Sequence, residues 1–224
     1  MSFYVLSFSS EMYPLWAKDL IDLPDANIPY QSKDDVPILL LGGNAYVKQD
    51  CLLSGRTTIQ QAIKNKQKTV PVRVAFSVPV KIGAAFALLK LIRYKWKTNG
   101  TKTYHVAPEF LRESGLERIQ RNATNAYQLT SKKHPFNPTQ QRERYQKLVQ
   151  DMKAGYNDKF PMRAMLCRTN GIKDTLDDGH HRLSICIDNH VPFVTLQFCY
   201  ASSWEAIRKI FLLRCKKWHK KSNS

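Results

Sequence analysis

The feature that most constrains the fold of this chain is a short cluster, DDGHHR at 177–182, set between two apolar segments. Ahead of it, FPMRAMLCR has apolar residues at alternate positions, which predicts a strand, and a turn at 169–171 leads to a short segment ending at Leu176. Behind it, VPFVTLQFCY predicts a further strand. The helix expected between them is supported by the apolar residues Leu183, Ile185, Cys186 and Ile187.

Over a longer span, residues 102–200 read strand, helix, strand, strand, helix, strand, which is typical of the α+β class. TYHVAPEFL predicts the first strand and a turn at Pro108. Helices are expected near 116–126 and over 142–154, with Gly155 as a natural helix stop.

The main boundary is expected at the linker-like stretch 98–102. We therefore predict an N-terminal α/β extension at 1–100, the α+β domain at 101–200 and a basic helix at 201–224. Within the extension, residues 57–68 predict a short helix with a basic face. TVPVRVAFSVPV at 69–80 predicts edge strands or an extended hairpin, because proline cannot donate to a sheet ladder.

A glycine pair in the extension allows two interpretations. The apolar run VPILLL at 36–41 predicts a buried strand and is followed by Gly42, Gly43 and Asn44. Such glycines let a backbone approach a phosphate, but no lysine or helix signature follows as a phosphate loop would need. A simple turn is the favoured interpretation.

Two strongly basic segments have helical periodicity, 81–97 and 204–221, and carry aromatic residues among their lysines and arginines. Each fits a helix lying on an anionic membrane with its lysines at the headgroups, and the second also fits nucleic acid. Each fits equally a helix packed on the core with solvated charges. Both alternatives stay open for the two segments.

Apolar residues make up 43% of the chain, which excludes an intrinsically disordered protein. No uncharged apolar run reaches about 18 residues, and no basic segment precedes a long apolar stretch at the N-terminus, so neither a membrane span nor a secretory signal is predicted. The five cysteines lack paired metal spacing and are expected to be reduced and mostly buried. We expect a cytoplasmic protein that can also act peripherally at the inner face of the membrane.

The net charge of +17 is unevenly distributed. Residues 1–50 hold three basic and seven acidic side chains, whereas the remaining residues hold 32 and 11. A field of this strength favours polyanionic partners: nucleic acid, an anionic membrane surface, or a phosphorylated glycan or nucleotide. Charge alone does not choose among them.

The order of residues in DDGHHR suits phosphate binding. Gly179 permits a tight turn and a close approach, and the N–H groups and positive dipole end of the following helix attract an anion. His181 and Arg182 add side-chain donors, while Asp178 suits Mg²⁺ or proton transfer. The competing interpretation is a surface turn in which an aspartate caps the helix. Zinc is poorly supported, because adjacent histidines do not easily bind one ion.

The stretch RYQKLVQDMKAGYNDKFPMRAMLCRTNGIKDTLDDGHHRLSICIDNHVPFVTL resembles the ParB/sulfiredoxin-like superfamily. The shared features are a helix, a strand beginning near proline, a hairpin, a Gly-x-[His/Arg]-Arg turn, a helix and a Val-Pro strand. The resemblance covers roughly residues 102–200 and leaves the first hundred unexplained. It implies a mixed sheet with flanking helices and a nucleotide-phosphate site, and the DGHHR string is most similar to free-serine kinases of this superfamily.

The resemblance also implies residue roles. Asp178 would serve metal binding or proton transfer, and the phosphates would contact Gly179, His180, His181 and Arg182. The kinases use a glutamate after the first strand, a position near which Glu109 and Glu113 fall. Sulfiredoxin has a cysteine where this chain has His180, so sulfinic acid reduction is not expected. A partition protein continues into a helix-turn-helix domain, for which the residues after Tyr200 leave no room.

These features predict a nucleotide-dependent phosphotransferase that uses ATP or ADP with Mg²⁺. The acceptor is expected to be a hydroxyl of a small metabolite or of a surface-glycan sugar. The alternative is a ParB-like nucleic-acid-binding protein or nuclease that grips the phosphate backbone through its basic region. A third possibility is a scaffold that senses a nucleotide without turnover.

Overall fold

The fold is known from a computed structural model, which describes residues 4–28, 30, 35–43, 47–79, 102–116, 143, 146–151, 161–166 and 173–200. Elements in the first half are β1 (Tyr4–Trp16), α1 (Ala17–Ile21), β2 (Ile38–Leu40), β3 (Cys51–Ser54), α2 (Arg56–Lys64) and β4 (Thr69–Pro79). Elements in the second half are β5 (Tyr104–Val106), α3 (Pro108–Glu113), β6 (Met162–Leu166), β7 (Thr175–Asp178), α4 (His180–Asp188) and β8 (Val194–Tyr200). Residues 146–151 are also helical.

The eight strands form one mixed sheet in the order β3-β2-β4-β1-β5-β8-β6-β7. The pairs β2/β4 and β6/β8 are parallel, and the other neighbours are antiparallel. The two halves of the chain meet where Leu15 of β1 pairs with Val106 of β5. This arrangement confirms the α+β class, with helices and a mixed sheet.

The main core lies on one face of the sheet, under the helices, because alternate strand residues point to the same side. Tyr13 of β1 packs edge-on against Phe198 of β8 with ring centroids 4.8 Å apart. Both rings are fully buried and belong to a single cluster, which also contains Leu20 of α1 and Leu183 of α4. The halves on either side of residue 100 therefore share a sheet and a hydrophobic core.

The expectation that 69–80 forms edge strands or a hairpin is wrong. β4 is a single strand between β2 and β1, in the interior of the sheet. Its Pro71 faces Pro14 of β1. β2 pairs only with the segment from Arg73 to Ala75, so Pro71 lies beyond the end of that neighbour. A proline is tolerated there because no ladder hydrogen bond is lost.

Pro108 begins helix α3 instead of only marking a turn. Proline at the first helical position loses no hydrogen bond, since its N–H would have no partner within the helix. The predicted strand before it and the helical part of 142–154 that is described are confirmed. The helix predicted at 57–68 is present but ends at Lys64, because a Schellman turn follows it.

Several expectations fall outside the described residues. These are the linker at 98–102 apart from its last residue, the turn at 169–171, Gly155, the helix beyond Leu116, and the two basic segments at 81–97 and 204–221. Within the part of the chain that is described, no helix has the length and apolar character to cross a bilayer.

Candidate functional site

The turn between β7 and α4 has the predicted order. β7 ends at Asp178, α4 begins at His180, and Gly179 between them has φ +104°. A Cβ at Gly179 would lie 2.6 Å from Met162 Cγ and 3.0 Å from Met162 Cβ. Glycine is required here both by the left-handed backbone and by the close approach of β6.

Long-range contacts hold this turn at the end of the sheet. Arg163 of β6 is opposite Asp178 of β7 in the strand register, after an irregularity that adds one residue to β7. At the other end of β7, buried Asp174 accepts hydrogen bonds from the Ser10 N–H and the Tyr13 hydroxyl, at 3.0 and 3.1 Å. β7 is therefore fixed to β6 along its length and to β1 at its start.

Two arginines lie on either side of Asp178. Arg163 and Arg182 each place a guanidinium nitrogen 3.5 Å from Asp178 Oδ2. Both separations are long for a hydrogen bond, so the ion pairs are loose. The Asp178 and Arg163 side chains are 50% and 39% exposed, whereas the Arg182 side chain is 16% exposed. The group carries two positive charges and one negative charge.

The start of α4 offers further donors. Its first described backbone bond runs from the Leu183 N–H to the Gly179 carbonyl, at 2.7 Å, so the N–H of His180 precedes the helical ladder. No side chain caps this terminus. Arg163 Nε and His180 Nδ1 are buried and have no hydrogen-bond partner in the described structure. Buried polar atoms ordinarily have a protein, water or ligand partner.

Helix α3 brings Glu109 to the same region. α3 packs beside α4, where the Arg112 guanidinium donates to Ser184 Oγ at 3.0 Å. Burial raises the pKa of the Cys186 thiol on α4 to about 11, while Arg182 lowers it and Glu109 raises it. Glu109, whose side chain is exposed, and Arg182 are thus the charged residues that influence this thiol. Glu113 is exposed at the end of α3, and no described hydrogen bond or ion pair joins it to the turn.

These groups lie at one end of the strands, which is the edge of the sheet where β5 and β7 end. The pairings of Val106 with Val194, Met162 with Leu196, and Arg163 with Asp178 put the end of β5 and the starts of β8 and β6 beside the end of β7. α3 and α4 both begin at this edge. The predicted residues of the DGHHR turn and Glu109 therefore share one end of the molecule.

Arg163 is a member of this group that sequence reasoning missed. In the strand MRAML it is the one charged residue, and its side chain is partly exposed among buried neighbours. A charged residue inside an otherwise apolar strand is the signal that marks it, since arginine is rarely placed among buried residues without a partner. Its pairing with Asp178 depends on strand register, which the local sequence does not reveal.

The site can supply one ligand to Mg²⁺. Within the described residues no group of three His, Cys, Asp or Glu side chains is arranged to hold a metal. Mg²⁺ in nucleotide sites is commonly bound by one or two carboxylates together with substrate phosphates and water. Asp178, whose side chain is half exposed, fits that mode, whereas the described residues do not form an all-protein metal site.

The glycine pair at 42–43 is a structural turn. The Gly42 N–H donates to Asp50 Oδ1 at 2.8 Å, and the Gly43 N–H donates to the Lys48 carbonyl at 3.2 Å. Asp50 is buried and also accepts the Tyr104 hydroxyl at 2.6 Å. Both amides are used within the protein, which confirms the simple-turn interpretation.

Comparisons of this chain with protein-family models, with curated proteins and with solved structures found no match.

Proposed function

We propose that this protein is a nucleotide-dependent phosphotransferase whose phosphates bind at the turn from β7 to α4. The observation that carries the proposal is the pair of arginines, Arg163 and Arg182, on either side of Asp178 at the start of a helix. Phosphoryl transfer needs positioning and neutralisation of charge more than covalent participation by the protein. This group of side chains supplies both.

The phosphate-binding role is supported by charge and geometry together. A helix start attracts anions through its N–H groups and its dipole, and no side chain caps the start of α4. Both guanidinium groups lie 3.5 Å from the Asp178 carboxylate, beyond the ideal hydrogen-bond distance, so a phosphate would compete with weak ion pairs at this carboxylate. Arginine binds phosphate through paired N–H groups, which favours a defined orientation.

Asp178 is proposed to hold Mg²⁺ or to accept the proton of the attacking hydroxyl. Mg²⁺, where bound, would neutralise charge on the transferred phosphate. Glu109 is the carboxylate that α3 brings toward α4, and we assign it the positioning or deprotonation of the acceptor. Glu113 stays a second possibility for this role.

We also propose a fold family, a nucleotide, an acceptor and a cellular location for the protein. We propose that the second half of the chain is a ParB/sulfiredoxin-like unit, supported by the succession of β6, β7, the glycine turn, α4 and β8. ATP or ADP is the proposed nucleotide. The acceptor is proposed to be a small hydroxyl-bearing metabolite or a surface-glycan sugar, with the protein acting in the cytoplasm and at the inner membrane face.

The test is consumption of ATP or ADP with Mg²⁺ against a panel of hydroxyl acceptors. Asp178→Asn should lower kcat by about 100-fold or more, the usual contribution of a positioned acid or base. Arg163→Ala and Arg182→Ala should raise KM for the nucleotide. Asp177→Asn is the matched control, since this neighbouring exposed aspartate makes no described contact, and it should retain wild-type rates.

Two outcomes contradict the proposal. Full activity in both Asp178→Asn and Arg182→Ala would remove the turn from the chemistry. Calorimetry that shows nucleotide binding without turnover for any acceptor would instead support a nucleotide-sensing scaffold. Thermal melts of each variant separate a loss of activity from a loss of folding.

Nucleic-acid binding is a second candidate function, favoured by the charge of the chain after residue 50, with 32 basic and 11 acidic side chains. Binding through phosphates weakens steeply with salt because counterions are released. A gel-shift titration at two salt concentrations tests it. Weak binding of DNA and RNA at low salt would exclude this function.

A further inference from the structure

A cavity of about 430 Å³ lies between the start of α1 and the end of α2. Its apolar wall is formed by Trp16, Ala17 and Ile63, and its rim carries Lys18, Lys66 and Lys68. None of its lining residues is acidic. Cavities of roughly 300–1,000 Å³ with an apolar lining and a few charged groups are typical of small-molecule sites.

Contacts within the protein hold the apolar wall of the cavity in place without a ligand. The Trp16 ring stacks on the His105 ring at 4.5 Å and meets Phe193 edge-on at 4.6 Å. His105 is fixed in turn by Asp19, whose carboxylate lies 3.0 Å from His105 Nδ1 and also accepts the His105 N–H at 2.6 Å. A fixed aromatic wall lowers the entropy lost on binding.

Lys66 occupies a backbone position that favours glycine. It follows the end of α2 with φ +57°, and the bonds from Lys66 N–H to the Ile63 carbonyl and from Gln67 N–H to the Ala62 carbonyl close a Schellman motif. A lysine in the left-handed region is strained, and such strain is concentrated at functional sites. This conformation puts a lysine, where glycine would be more stable, on the rim of the cavity.

We infer that this cavity binds a phosphate monoester with a flat organic body, the class to which nucleoside monophosphates belong. Trp16 lines the cavity, and an aromatic side chain there offers apolar contact to a flat ring. Three lysines on one rim favour a dianion over a monoanion, and lysine binds phosphate as a point charge. An apolar body without a phosphate would leave that positive rim uncompensated.

The cavity is distinct from the turn at Asp178, and the inference does not rest on the proposed function. Trp16 ends β1 and Asp178 ends β7, four steps apart in the sheet order. At ~4.8 Å per strand the separation is about 19 Å, too far for one nucleotide to transfer its phosphate between them. A ligand here is therefore held at a separate site.

The experiment is calorimetric titration of the full chain with AMP, adenosine and inorganic phosphate at low salt. AMP should bind at least about tenfold more tightly than either fragment, because both the ring and the dianion contribute. The double variant Lys66→Gly, Lys68→Ala should lose at least about tenfold in affinity for AMP. All titrations are made in an Arg182→Ala background, so that nucleotide bound at the turn from β7 to α4 does not contribute.

Matched controls separate strain from binding. Lys66→Gly alone should raise Tm by about 2–4 °C while weakening AMP binding, because it relieves the left-handed strain. His190 follows the end of α4 as Lys66 follows the end of α2, and its φ is +52°. His190→Gly should therefore raise Tm without changing AMP affinity. Lys64→Ala removes a lysine of α2 that does not line the cavity, and AMP affinity should stay unchanged.

Three results would overturn the inference. One is phosphate binding as tightly as AMP, since the aromatic wall would then contribute nothing. Another is AMP affinity that survives the loss of Lys66 and Lys68 in the Arg182→Ala background. The third is absence of AMP binding to a folded wild-type protein at millimolar concentration.

Discussion

Replacing Gly179 by alanine tests the geometry of the turn directly. At φ +104° an alanine costs about 1–2 kcal/mol through its backbone alone. The new Cβ would also lie 2.6 Å from Met162 Cγ and 3.0 Å from Met162 Cβ, and overpacking of this kind costs about 1–3 kcal/mol more. Rotation of the methionine can move its Cγ but not its Cβ, which stays 3.0 Å away, so the contact is only partly relieved. We expect a loss of about 2–5 kcal/mol in the free energy of unfolding.

Gly115→Ala is the control for the backbone contribution. Gly115 also has a positive φ, +74°, but a Cβ there meets nothing within 4 Å. Urea denaturation should therefore show a loss of about 1–2 kcal/mol for Gly115→Ala. In a Met162→Ala background, Gly179→Ala should cost less than in the wild type, since the clashing Cγ is absent. Equal losses for the two glycine variants, with no coupling to Met162, would refute the close approach of β6 to the turn.

The remaining predictions concern buried groups. Tyr104→Phe removes the hydroxyl that donates to buried Asp50 at 2.6 Å, and urea denaturation should show a loss of about 1–3 kcal/mol; an unchanged midpoint would contradict the bond. Burial raises the pKa of the Cys51 and Cys186 thiols from 9.0 to about 11, so both stay protonated in the folded state. The stability they contribute is complete below pH 9 and is lost as the pH rises through about 11, which thermal melts from pH 8 to pH 11 should show as a falling Tm. Substituting both thiols by alanine should flatten that fall, and an equally steep fall would assign it to other groups. The same thiols should react slowly with a thiol reagent at pH 8 in the folded protein and quickly in urea.

The elements around the site could be predicted because their signals are local. Alternating apolar residues mark β6, a left-handed glycine separates strand from helix at Gly179, and helical periodicity marks α4. These patterns depend on neighbours within a few residues. The order of β6, β7, α4 and β8 was therefore read correctly from the sequence.

The long-range arrangement could not be predicted in the same way. β1 was not predicted, because Glu11 interrupts its apolar pattern and the register shifts between Phe8 and Met12. The interior position of β4 follows from its pairing with β1 and β2, which are distant in sequence. Buried Asp50 accepts a hydrogen bond from Tyr104 of β5, and no local motif predicts that bond.

The distinction between local sequence signals and long-range pairing also applies within the site. The DGHHR turn was recognised as a unit, whereas Arg163 joins it only through the register of β6 against β7. The position of Glu109 beside α4 depends on the packing of α3, which begins at a proline that the sequence suggested was only a turn. Side chains from separate elements converge through tertiary packing, so sequence reasoning finds one part of such a site and misses the others.

A crystal structure of the protein with ATP or ADP and Mg²⁺ would show where the phosphates bind. We expect phosphate density at the start of α4, against the backbone of Gly179 and His180, with the guanidinium groups of Arg163 and Arg182 turned from Asp178 toward the phosphates. Nucleotide bound elsewhere on the chain, with both arginines still paired to Asp178, would contradict this expectation.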